Sequence, residues 1–238
     1  MVWGLVLVTS AVALGTPVND ANWVSFGGAG AFVPHKTIRM LGEDINITIY
    51  DDKIHVRVWF SFRNDGPETT VTMAFPFETV AYSEPIVKRF ASKVDGEAVA
   101  TTRVAIPPFN KSVAEWAPEG YISSYAYTKE VHFKAGQRRF VLVDYVTAHG
   151  AVWDGNSDEY VLRTGATWAG KIGICTITVD WSNTTKLSDP SLKFYREDLS
   201  QFESKWTYID SKRATTTISD FEPDFDLSLS TSRTQSSE

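Results

Sequence analysis

From residue 38 onward the chain alternates apolar and polar side chains with a period of two, and almost no window sustains the 3.6-residue spacing of a helix. Lys53 to Arg63 is the clearest case: Ile54, Val56, Val58, Phe60 and Phe62 point one way, His55, Arg57, Trp59, Ser61 and Arg63 the other. Such a segment is a strand with one buried face. Asp51-Asp52 turns Glu43 to Tyr50 into a hairpin with it, and Asn64-Asp65-Gly66-Pro67 leads on to Thr69 to Phe77, predicting a three-strand meander. Further hairpins are expected at Val94-Asp95-Gly96-Glu97 and at Lys134-Ala135-Gly136-Gln137, the second joining Tyr125 to Phe133 with Arg138 to Thr147. Ile106 to Tyr121 contains Pro107, Pro108, Pro118 and Gly120 and reads as a loop with room for one helical turn. Asp189 to Glu203 is the best candidate for a short helix, and strands return at Trp206 to Tyr208, Thr215 to Ser219 and Phe225 to Leu229. The expected fold is all-β, an antiparallel β-sandwich or open barrel with one or two short helices.

The 238 residues include 14 Phe, 9 Tyr and 8 Trp, enough bulk for one sizeable core, and no linker or internal repeat divides them. Net charge is -6, with Lys and Arg scattered, which argues against nucleic acid as a partner. Val2 to Leu14 is an uncharged apolar run followed by small residues at Gly15 and Ala21, the pattern of a signal peptide over residues 1–21. It is shorter than the roughly 20 apolar residues of a spanning helix. The expectation is therefore a periplasmic or secreted protein whose mature chain has no membrane span. A single domain over 22–229 and a disordered Ser-rich tail over 230–238 complete the plan. Cys175 is the only cysteine, so no internal disulfide forms, and its place on the more apolar face of Lys171 to Trp181 marks it as an inert core thiol.

Asp154, Asn156 and Asp158 stand at alternate positions, as oxygen ligands do in calcium loops, and make calcium the one cofactor the sequence raises. The pattern is incomplete: Glu159 stands where an EF-hand needs glycine, and Gly165 where it needs glutamate. A polar turn between strands explains the same residues. Glu130 and His132 share a strand face, but polar residues two apart are expected on any solvated strand. His35, His55 and His149 lack zinc spacing, and Gly27-Gly28-Ala29-Gly30 lacks the partners of a phosphate loop. No catalytic residue is assigned. Trp59, Trp153 and Trp168 are candidate ligand-binding residues, because flat aromatic rings stack on sugars when exposed; Trp59 is the most suggestive, being on the polar face of its strand. Sequons occur at Asn46, Asn110 and Asn183.

The stretch YVLRTGATWAGKIGICTITVDW, Tyr160 to Trp181, resembles the most diagnostic segment of the bacterial exported family called domain of unknown function 4424. NDANWVSFGGAGAFVPHKTIRMLGEDINITI, KIHVRVWFSFRNDGPETTVTMAFPFE, YTKEVHFKAGQRRFVLVDYV and ISDFEPDFDLSLS follow that family's blocks in order, over most of residues 19 to 230. The resemblance implies a bacterial exported protein and carries no activity or catalytic residue. The chain departs from it in the short connection at Ile106 to Tyr121 and in its lone cysteine. Gly165, Trp168, Gly170 and Gly173 form its centre, and they suit the turning of a strand.

The leading expectation is an exported, non-enzymatic β-sandwich serving as a binding or assembly module of the cell envelope, with a protein or glycan partner. A carbohydrate-binding module using exposed tryptophans is the alternative, and a hydrolase with an unrecognised site the second.

Overall fold

The computed structural model describes residues 15–17, 21–26, 29–80, 87–108, 122–152, 155–196, 198 and 200–234. Strands β1 (Gly15–Pro17), β2 (Ala21–Phe26), β3 (Ala29–Phe32), β6 (Thr69–Val80), β9 (Thr102–Ala105) and β10 (Ile122–Phe133) form a six-stranded sheet. Its order is β3-β2-β6-β10-β9, with β1 also paired to β6. Gly15–Pro17, inside the segment read as a leader, is in register with Phe77 to Thr79.

Strands β4 (Ile38–Tyr50), β5 (Ile54–Asn64), β7 (Val87–Val94), β8 (Glu97–Val99), β11 (Arg138–Thr147), β14 (Ile172–Asn183), β17 (Thr207–Asp210) and β18 (Arg213–Phe221) form an eight-stranded sheet. The order is β17-β18-β14-β4-β5-β11-β7-β8, and the β14–β4 pair is parallel. Strands β12 (Ala151–Val152), β13 (Gly155–Tyr160), β15 (Ser191–Arg196), β16 (Gln201–Phe202) and β19 (Phe225–Ser232) make a third sheet, ordered β12-β13-β19-β15-β16. The fold is all-β, as the alternation requires, and among the described residues its helical content is one 3-10 turn at Arg163–Thr167.

Four local expectations are corrected. The β4–β5 hairpin forms, closed by the Tyr50 amide donating to the Lys53 carbonyl at 2.9 Å, but the chain does not continue as a meander. It crosses to the opposite sheet, so β6 never pairs with β5. The turn at residues 134–137 likewise carries the chain from one sheet to the other rather than closing a ladder between β10 and β11. The two crossings lie side by side: the Asn64 amide donates to the Gln137 carbonyl at 3.0 Å, and the Gly136 amide to the Asn64 carbonyl at 2.9 Å. The Asn64 side chain donates to the carbonyls of Pro67 and Lys134 and accepts from the Gly66 amide. A β5–β11 ribbon thus folds over and goes on as the β6–β10 ribbon. Turn residues announce a reversal without saying whether the strands re-pair or pack face to face.

The third correction concerns Asp189 to Glu203, which holds β15 and β16 instead of a helix. Phe194 is buried there and Lys193 exposed, and β19 supplies a ladder along all of β15. Phe194, Phe202 and Phe225 stack into one cluster, with Phe202 and Phe225 centroids 4.1 Å apart. Aromatic packing of this kind overrides a weak helical preference. Fourth, the tail does not fray at 230: β19 runs to Ser232, Thr231 is buried, and the Thr234 amide donates to the Lys186 carbonyl at 2.9 Å. Residues 235–238 lie outside the described residues.

The sandwich core faces inward from both main sheets. Val58, Phe60, Val143 and Tyr145 of one meet Met73, Phe75, Phe77 and Phe133 of the other, all buried. Tyr145 lies 5.3 Å from Phe75 and 5.2 Å from Phe77 between ring centroids, and its hydroxyl is buried with no hydrogen-bond partner. Burial pushes that phenol well above its ordinary pKa. An unsatisfied buried hydroxyl costs about 1–3 kcal/mol. Tyr145→Phe is therefore expected to be neutral or to stabilise by about 1 kcal/mol, checked by urea denaturation; a loss of stability would mean that the hydroxyl has a partner.

Candidate functional site

Because alternate positions of β4, β5, β11 and β14 are buried in the core, the remaining ones form a continuous outer face on the eight-stranded sheet. Register fixes its rows. Thr176, Asp44, Trp59, Leu142 and Lys93 stand side by side across β14, β4, β5, β11 and β7. Beneath them run Thr178, Asn46, Arg57 and Asp144, and then Asp180, Thr48, His55, Val146 and Arg89. Trp59 sits near the middle of this face and is 47% exposed. Phe140 and Ile174 are also exposed. Asn46 donates its side-chain amide to Asp44 at 2.9 Å.

Asp144 organises the region beside the tryptophan. One of its oxygens accepts from Arg57 Nε at 2.9 Å and Nη2 at 2.7 Å; the other accepts from Arg89 Nη2 at 2.6 Å and lies 3.2 Å from His55 Nε2. Partial burial raises the Asp144 pKa, but hydrogen bonds from Arg57 and His55 outweigh that and hold it below the usual carboxylate range. Asp144 is largely covered, whereas the side chains of Arg57 and Arg89 are 51% and 59% exposed.

The other tryptophan candidates do not join this face. Trp168 is buried, its ring 4.8 Å from Phe62 and 6.4 Å from His35, and its neighbour Ala169 donates an amide to the Ile38 carbonyl. The glycines after it serve the backbone in two ways: Gly170 takes a left-handed φ of 67°, and a Cβ on Gly173 would stand 2.4 Å from the Leu41 carbonyl oxygen. Trp153 and Asp154 lie outside the described residues. Asn156 and Asp158 are on β13, in strand rather than loop.

Asp158 is committed to the protein. It accepts from the Gly150 amide at 2.9 Å and sits 2.8 Å from His149 Nδ1, with both side chains buried. His149 Nε2 lies 2.7 Å from the Tyr50 carbonyl, so both ring nitrogens meet acceptors and the imidazolium fits best. Burial opposes the charge, but Asp158 and the carbonyl prevail and raise the His149 pKa. Among the described residues no three His, Cys, Asp or Glu side chains gather as metal ligands.

Glu130 and His132 are exposed on the outer face of the six-stranded sheet, where His132 pairs with Glu68 at 2.9 Å and contacts Thr70. Cys175 is fully buried, and burial together with Glu43 pushes its thiol pKa well up. Asn46 is half-buried, Asn183 is exposed, and Asn110 is outside the described residues.

Sequence reasoning missed one acidic group. Glu159 on β13 is raised to about 7 by burial and by the charges of Asp226 and Glu78, against the pull of Arg163. Asp226 accepts from the Leu162 and Arg163 amides and from Arg163 Nε at 2.6 Å, and Glu78 accepts from the Ser124 hydroxyl at 2.8 Å. These carboxylates come from three distant segments, so no spacing could have revealed them.

No family model and no curated protein matches the chain. Among solved structures it is similar to a candidate nutrient binding protein from Legionella pneumophila, with a TM-score of 0.69 and 21% identity over 93% of this chain and 72% of that one. At that identity the likeness shows the fold alone. An M1 zinc metallopeptidase from Deinococcus radiodurans aligns with a TM-score of 0.41 and 10% identity, over 84% of this chain and 43% of that one. That level supports no comparison of sites. Among the described residues no helix is long and apolar enough to cross a membrane.

Proposed function

We propose that the chain is an exported, non-enzymatic binding protein of the bacterial cell envelope, and that a saccharide docks on the outer face of the eight-stranded sheet with Trp59 as its platform. One observation carries the reading: a tryptophan 47% exposed stands near the middle of a broad, otherwise largely polar face. Asp44, Asn46 and Thr176 flank it on β4 and β14, Arg57 and Asp144 on β5 and β11. A sugar ring presents apolar C–H groups on one side and hydroxyls around its rim. An aromatic plate bordered by donors and acceptors complements both. The Legionella protein, a candidate for nutrient binding, is compatible with a binding role, and the resemblance to domain of unknown function 4424 is compatible with export.

A central aromatic anchor is worth about 2 kcal/mol or more, roughly a 30-fold change in affinity. On a glycan array, the protein is expected to bind selected saccharides and Trp59→Ala to lose them, with no loss of stability beyond a surface substitution's. Undiminished binding by Trp59→Ala would overturn the proposal.

A further inference from the structure

We infer that the saccharide carries an acidic group, received by Arg57 and Arg89; this deepens the reading of Trp59 as a platform and rests on it. Arg57 is the next outward residue along β5, about 7 Å from Trp59 at the rise of a strand, so a ring stacked on the indole brings a substituent within reach of the guanidinium. Asp144 lies directly across from Arg57 on β11, and Arg89 approaches it from β7.

The arrangement is prepared in advance. Asp144 uses both oxygens to hold the two guanidinium groups, and each retains N–H donors on a side chain that is more than half exposed. Two guanidiniums with one carboxylate leave a positive balance, which His55 and Lys93 border, within a chain whose net charge is -6. The negative group nearest Trp59 in its own row, Asp44, stands on the opposite side, on β4. The face is therefore polarised, with hydroxyl recognition toward β4 and β14 and an anion toward β11 and β7. Bracing Asp144 occupies only part of each guanidinium, and both side chains stay more than half exposed, so the same arginines can serve the fold and still face a ligand. Guanidinium groups match carboxylate, sulfate and phosphate oxygens in paired geometry, and the bracing lowers the cost of ordering them on binding.

The test uses the full chain on an array pairing uronic, sialic, sulfated and phosphorylated saccharides with their neutral parents, with inorganic phosphate as a competitor. The expected result is binding confined to acidic members, weakened by salt and poorly competed by phosphate. Arg57→Gln/Arg89→Gln should lose about tenfold to hundredfold, and Arg57→Lys/Arg89→Lys, which keeps the charge without the fork, should fall between. Trp59→Ala should lose all binding. Equal binding of acidic and neutral members, or the same affinity in the Gln pair, overturns the acidic preference while leaving the platform standing. Competition by phosphate as strong as by the saccharide, with Trp59→Ala unaffected, shows a bare anion site and overturns both. The absence of any saccharide signal overturns both as well.

Discussion

Trp168→Ala is expected to destabilise the protein by about 3–5 kcal/mol, the usual cost of truncating a buried tryptophan, while leaving the affinity of the Trp59 face unchanged. The ring fills the space beside Phe62 and His35, and the backbone on either side of it is fixed: the Trp168 amide donates to the Gly165 carbonyl and the Ala169 amide to Ile38. The cavity would open beneath the first residues of β4, where the Cβ missing from Gly173 already permits contact with Leu41. For a chain of this size the loss corresponds to a fall in Tm on the order of 10 °C. Denaturation and array binding measured on the same preparation separate the roles of the two tryptophans. Trp59→Ala should spare stability and remove binding; Trp168→Ala should do the reverse. Lost binding at normal stability in Trp168→Ala would make that residue a ligand contact.

Glu159→Gln is expected to stabilise the protein by about 2 kcal/mol above pH 7 and to change little below pH 4. The Glu159 pKa rises from an ordinary 4.5 to about 7 on folding, because burial and the neighbouring Asp226 and Glu78 oppose its charge. Between those values the folded chain holds more protons than the unfolded one, so this residue makes stability fall as pH rises through the window. Each pKa unit is worth about 1.4 kcal/mol, and the residue's remaining contact with water reduces the full value. Glutamine keeps the shape without the charge. Urea titrations of both proteins at several pH values give the difference directly, and parallel curves would show that Glu159 ionises normally.

The strands were legible because burial imposes a two-residue period: in β5 each residue from Ile54 to Phe62 faces the side the alternation assigns it, Trp59 standing with Arg57 on the outside. Sheet membership was not. Asn64 to Pro67 and residues 134–137 carry ordinary turn residues, and only the second ribbon lying against them makes both into crossings. Asp189 to Glu203 misled because its aromatic partners, Phe225 and Trp206, come later in the chain. At the site, Trp59 was visible as an apolar residue on a polar face. The arginines bracing Asp144 were not, since Arg57, Arg89 and Asp144 lie on three strands joined only by register.

The folded-over ribbon also sets an order of assembly. The β4–β5 hairpin can close as soon as it is made, yet Asn64 must wait for Lys134, 70 residues further along, before its corner is tied. Until β10 joins β6, the apolar side of β5, with Phe60 and Phe62, has only part of its opposing layer. Contacts so distant in sequence slow folding and leave sticky surface open to other chains. If the chain is exported as proposed, that half-built hairpin is exposed before its opposing layer is complete. Shielding it during transit is then a task for the compartment that receives it.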